Sequence, residues 1–170
     1  MLFSINVKGQ TITYSGLISL VDNVEYLFDS YELLENKGFE LNESLDYAKA
    51  LDLETEHGKE NVRGCKMTYY ANAKAKIAVN VHSCPPGKNI PMSEFDTKKY
   101  VGVMFKSESQ NYNYLIGKIK ENCTAIKTEP FEVNSQIMTH TYKHKSKPIF
   151  FHFYKYLQDD GMFYVIYVAM

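Results

Sequence analysis

No run of apolar residues in this chain is long enough to cross a bilayer as a helix. The longest, Met162 to Met170, spans nine positions, against about 20 for a helical span. Asn6 and Lys8 follow closely on Met1 and interrupt any apolar core of a secretory signal, so the cytoplasm is the expected compartment. Cysteine is scarce. Cys65, Cys84 and Cys123 are odd in number and show no C-x-x-C spacing, which fits reduced thiols rather than a disulfide or zinc framework. The net charge of −1 provides no global field toward nucleic acid or membrane. Catalytic glycine motifs are missing too: there is no G-x-G-x-x-G, no G-x-x-x-x-G-K and no G-x-S-x-G to cradle a phosphate or raise a serine nucleophile.

What is there suffices for a core. The chain has 170 residues, 45% of them hydrophobic and 14% aromatic, which excludes disorder and fits one globular domain over residues 1–170. The small net charge conceals two opposed segments. Asp22 to Glu60 holds twelve acids against Lys37, Lys49 and Lys59, whereas Asn134 to Gln158 holds no acid and carries Lys143, Lys145, Lys147, Lys155, His140, His144 and His152. Such segments either neutralise each other inside the fold or leave one of them facing a partner.

Periodicity divides the chain into a helical first part and a mainly extended remainder. Phe3, Ile5 and Val7, then Ile12 and Tyr14, alternate about Lys8-Gly9 and predict a hairpin. Leu17, Leu20, Val21, Val24, Leu27, Phe28, Tyr31 and Leu34 share one helical face, closed by Lys37-Gly38. Asn42 is positioned to cap a second helix through Leu45 and Ala48 to about Leu53. Strands are expected at 66–70, 76–83, 100–106, 126–133, 137–143, 149–156 and 162–169, and a helix at 112–123, although Tyr112, Tyr114 and Ile116 also alternate. The last strand is apolar on both faces, which suits a central position. The predicted class is α+β, with an N-terminal hairpin and helices packed on a mainly antiparallel sheet.

Several constellations bear on chemistry. His140 and His144, with His82 and Cys84, could offer nitrogen and sulfur to a metal, but their spacing matches no closed zinc site, and neither a metal nor another cofactor is expected. His144-Lys145-Ser146 matches half of the signature of two-histidine phosphodiesterases. Its best second copy, His82-Ser83-Cys84, lacks the hydroxyl. Cys84 beside His82 is a conceivable thiol nucleophile. Tyr142 to Tyr156 interleaves aromatics with lysines, as a single-strand nucleic-acid binder does, and as an amphipathic strand also does. Asp22, Glu25, Asp29 and Glu32 fall within an arc of roughly 80° on a helix, with no Lys or Arg between Lys8 and Lys37 to offset them. Like charges at this spacing cost a helix stability, so the stripe suits either a basic partner or a solvated face.

Binding of another protein is therefore a better expectation than turnover of a substrate. In its size, its acidic helical N-terminal region and its strand-rich Tyr/Phe C-terminal half, the chain resembles immunity proteins of bacterial contact-dependent growth inhibition systems. The resemblance implies a cytoplasmic, non-enzymatic protein that holds and blocks a cognate toxin domain, nuclease being the class that suits an acidic inhibitor. Two routes are expected: charge mimicry through Asp22, Glu25, Asp29 and Glu32, and addition of a toxin strand to an exposed edge, for which Asn80 and Thr139 mark the expected edge strands. The alternatives are a single-strand nucleic-acid binder and a small histidine-dependent hydrolase.

Overall fold

The computed structural model describes residues 12–22, 32–46, 62–85, 90–92, 95–97, 99–131, 134–159 and 161–170. The predicted N-terminal hairpin, apart from Ile12 to Tyr14, lies outside them, as do Glu25 and Asp29. Among the described residues there are ten strands: β1 (Glu40–Asp46), β2 (Lys66–Asn72), β3 (Ile77–Ser83), β4 (Ile90–Met92), β5 (Phe95–Thr97), β6 (Lys99–Phe105), β7 (Cys123–Phe131), β8 (Asn134–His144), β9 (Phe150–Gln158) and β10 (Gly161–Ala169). The helices α1 (Tyr14–Asp22) and α2 (Gln110–Asn122) accompany them, with a further helical segment at 32–35.

Eight strands form one sheet in the order β1-β2-β3-β6-β10-β9-β8-β7, and β4 and β5 pair separately. All the pairings are antiparallel. The chain advances from one end of the sheet to its middle through β1, β2, β3 and β6. It crosses by α2 to the far end and returns through β7, β8 and β9. The last strand, β10, closes the sheet by pairing with both β9 and β6. An α+β architecture with a central C-terminal strand is thus observed. Ile166 and Val168 are wholly buried on one face of β10 and Val165 is nearly so on the other, as the two-sided apolar sequence requires.

One face of the sheet carries the main core. Val79, Val81, Val101, Val103, Ile166, Val168, Phe151 and Phe153 meet Leu17, Leu20 and Val21 of α1 and Leu115 and Ile119 of α2 in one buried cluster. Each large side chain buried this way contributes about 1.5–3 kcal/mol. Local signals fix the helices. Ser109 caps α2 by accepting the Tyr112 N–H at 3.1 Å, and Asn111 clasps Ile12, donating to its carbonyl at 2.7 Å and accepting its N–H at 3.2 Å. Residues 32–35 are helical and end where Lys37-Gly38 predicts. Gly38 has φ +75°, its N–H donates to Glu35, and the Phe39 N–H donates back to Leu34. Leu34 and Phe39, both buried, complete this left-handed cap with an apolar contact.

Three expectations are corrected. Tyr14 opens α1 instead of ending a strand. The helix expected from Asn42 is, over its first residues, the strand β1: Asn42 sits at a bulge between Leu41 and Glu43, and the chain pairs with β2. Hydrogen bonds to a neighbouring strand override a helical spacing that only three apolar residues supported. Cys65 and Cys84 form a disulfide, with Cα atoms 4.1 Å apart. Lys66 stands opposite Ser83 in the β2–β3 register, so the residues flanking that pair face each other, and this geometry brings two cysteines together regardless of the third.

Candidate partner-binding site

The sheet face opposite the helices is crossed by a single row of side chains contributed by all eight strands. Successive register pairs link Glu43 to Tyr69, Tyr69 to Asn80, Asn80 to Gly102, Gly102 to Tyr167, Tyr167 to His152, His152 to Thr141 and Thr141 to Lys127. With strands about 4.8 Å apart, the row extends roughly 34 Å from an acid at one end to a base at the other.

Its middle is a shallow aromatic cage. Tyr69, Tyr154, Tyr156 and Tyr167 stand around a floor that includes Asn80, Gly102 and Met104, enclosing about 90 Å³. The Tyr154 and Tyr167 rings are tilted with centroids 6.0 Å apart. Tyr69 donates to Met67 Sδ at 3.0 Å and Tyr156 to Met104 Sδ at 3.5 Å. Burial, then Tyr167 and then Glu43, raise the Tyr69 phenol above its usual range. Burial is also the main cause of the upward shift of Tyr154. Tyr69 and Tyr154 therefore stay neutral at physiological pH. Beside it, His152 shares a 3.0 Å hydrogen bond with Thr141 Oγ1, and burial pushes its imidazole down to about 4.

At the acidic end of the row, β1 is the last strand of the sheet among the described residues. Glu40, Leu41, Asn42, Glu43, Ser44 and Asp46 are exposed and only Leu45 is partly covered, and the Leu41 side chain remains 51% accessible. The opposite terminal strand, β7, is interrupted by Pro130 and by bulges, features that hinder further pairing.

The structure separates most of the residues that the sequence singles out. Asp22 lies at the end of α1 and pairs with Lys147 at 2.9 Å, so here the acidic and basic segments neutralise each other. Glu32 is exposed on the second helical stretch. Asn80 and Thr139 do not mark sheet edges: β3 pairs with β2 and β6, and β8 with β7 and β9. The edge expectation is corrected for both, because β6 covers the free flank of the β2–β3 hairpin and β7 that of β8. Asn80 instead helps floor the cage. Thr139 is buried opposite Glu129.

The histidines do not converge. His82 on β3 and His144 on β8 are four strand spacings apart, about 19 Å. His82 stacks on Tyr100 with centroids 3.7 Å apart, and burial pushes it down to about 3. His144 Nδ1 accepts the N–H groups of Ser146 and Lys147 at 3.1 and 3.2 Å, which makes it a turn-forming acceptor. Cys84 is occupied in the disulfide. No group of three or more His, Cys, Asp or Glu able to hold a metal ion occurs among the described residues. The aromatics of the 142–156 stretch are divided, with Tyr142, Phe151 and Phe153 in the helix-side core and Tyr154 and Tyr156 in the cage. Two larger hollows, about 570 and 500 Å³, flank the β2–β3 turn, and neither lines up a histidine, a thiol or two carboxylates.

Sequence periodicity could have found the face of Tyr69, Tyr154, Tyr156 and Tyr167, since each lies on an alternating strand. Their convergence depends on a strand order that no local signal states. Among the described residues no helix is long and apolar enough to cross a membrane. No family model, curated protein or solved structure matches the chain.

Proposed function

We propose that the chain is a non-catalytic immunity protein that holds and neutralises a cognate toxin domain, with β1 as the docking edge. The observation that carries this reading is the exposed strand β1, which presents Glu40, Glu43 and Asp46 and, among the described strands, pairs on one side only, with β2. Acidic attraction and strand addition, which the sequence suggests for Asp22, Glu25, Asp29 and Glu32 and for the strands of Asn80 and Thr139, are in this reading both assigned to β1 instead. A second copy of β1 would bring acid against acid, which disfavours self-pairing, whereas a basic strand gains both cross-strand ion pairs and backbone hydrogen bonds. Nucleases are basic because they hold phosphates, so the charge sense suits a nuclease domain.

The single-strand nucleic-acid reading is the weaker one, because the aromatics it needs on one surface are split between two. A nuclease must be stopped where its nucleic acid is, which for this reading is the cytoplasm, and the Cys65–Cys84 disulfide argues in the other direction. The test is protection: cells making the chain should survive expression of the cognate nuclease toxin domain that this reading requires. Survival that is lost when Glu40, Glu43 and Asp46 are reversed to Lys supports the reading, and growth arrest despite the intact chain contradicts it.

A further inference from the structure

We propose that the tyrosine cage seats one arginine side chain of a basic partner that lies over this face of the sheet. This rests on the immunity reading only for the identity of the partner. Cofactor and metabolite pockets usually measure about 300–1,000 Å³, so the roughly 90 Å³ between Tyr69, Tyr154, Tyr156 and Tyr167 is the space of a single side chain. The lining contains no cation and no carboxylate. It offers the π faces of four tyrosine rings and the amide of Asn80, which Gly102 admits to the floor: a Cβ at position 102 would overlap Asn80 Oδ1 and lie 2.6 Å from Tyr167 Cε1.

Aromatic faces attract cations, and a planar guanidinium both stacks on tyrosine and donates in several directions to hydroxyl and amide oxygens. Glu43 gives the sign. It stands directly across from Tyr69, close enough for its charge to act on that phenol, so the mouth of the cage on the β1 side is negative. A basic strand paired with β1 would carry its own side chains on the same face, one strand spacing beyond Glu43. From there Tyr69 is two strand spacings away and Gly102 four, about 10 and 19 Å, beyond the reach of a side chain on that strand, so the arginine comes from a part of the partner that lies over the sheet face, and it passes the negative side of the cage at Glu43 to meet the rings.

The experiment needs no toxin. The whole chain is titrated with acetyl-Gly-Arg-Gly-amide and with the same peptide carrying citrulline, a neutral isostere, or norleucine, while the tyrosine ring signals are followed by NMR. The expected result is saturable shifts of Tyr69, Tyr154, Tyr156 and Tyr167 with arginine, and binding weaker by about tenfold with citrulline. Glu43→Gln, on the exposed edge, should weaken arginine several-fold and leave citrulline unchanged. Equal binding of citrulline, tighter binding of norleucine, or no shift of these rings with arginine overturns the proposal. A chain that seats arginine but binds no toxin leaves the cage standing and removes the immunity reading. A chain that protects cells but ignores arginine does the reverse.

Discussion

The Tyr167 ring lies across Gly102, and the space it uses is the space a β-carbon would need. Glycine ordinarily weakens a strand interior by about 0.5–1 kcal/mol relative to alanine. Gly102→Ala should nevertheless be destabilising here, by about 1–3 kcal/mol, because the added methyl must displace both Asn80 and Tyr167. Thermal unfolding reads the sign. A rise in melting temperature would mean that Asn80 and Tyr167 are free to move away and that the cage floor is not fixed.

The disulfide gives a second prediction. Cys65 and Cys84 are 19 positions apart, a loop for which cross-linking adds about 3 kcal/mol by restricting the unfolded chain. Air-oxidised protein unfolded in urea should show one titratable thiol, Cys123, and three after reduction. The urea midpoint should fall on reduction, and Cys65→Ser should reproduce the fall. An unchanged midpoint would show that the β2–β3 pairing alone holds these ends.

Buried histidines set the acid limit of the fold. Burial holds His82 near 3 and His152 near 4, against about 6.5 when unfolded. The unfolded chain therefore binds more protons below that value, and stability that is complete above it is lost as pH falls toward the folded values. Between roughly pH 6 and pH 4 each histidine should contribute a slope of about 1.4 kcal/mol per pH unit. His152→Gln should remove its share of that slope in urea unfolding measured across this range. A slope identical to that of the parent chain would show that His152 does not titrate on unfolding.

Much of this fold is readable from local pattern, and the reasons for the exceptions are physical. The central place of β10 follows from apolar residues on both of its faces, and the ending at Lys37-Gly38 from the one residue that accepts a left-handed turn. β1 escapes such reading because an exposed terminal strand buries almost nothing. Its few apolar residues then carry no period-two signal, and Leu41 and Leu45 happen to be four apart. The pairing of Cys65 with Cys84 depends on a hairpin register that composition and cysteine count do not contain. Asn80 draws notice as a polar residue in an apolar strand, but what it does depends on Gly102 and Tyr167, which join it only through the order β3-β6-β10. Asp22 reads as part of a free acidic stripe until the β8–β9 turn brings Lys147 against it.

The central claim is that β1 captures a basic partner through charge and strand pairing together, and association kinetics test it most directly. The rate at which the cognate nuclease toxin domain that the proposed function requires binds the chain should be measured at low and at physiological salt for three proteins: the parent, the Glu40→Lys, Glu43→Lys, Asp46→Lys triple variant, and Ser44→Pro. Circular dichroism serves as the check on folding. The account predicts that charge reversal slows association tenfold or more at low salt and flattens its salt dependence, while Ser44→Pro mainly hastens dissociation. Both rates unchanged in folded variants of both kinds would contradict it.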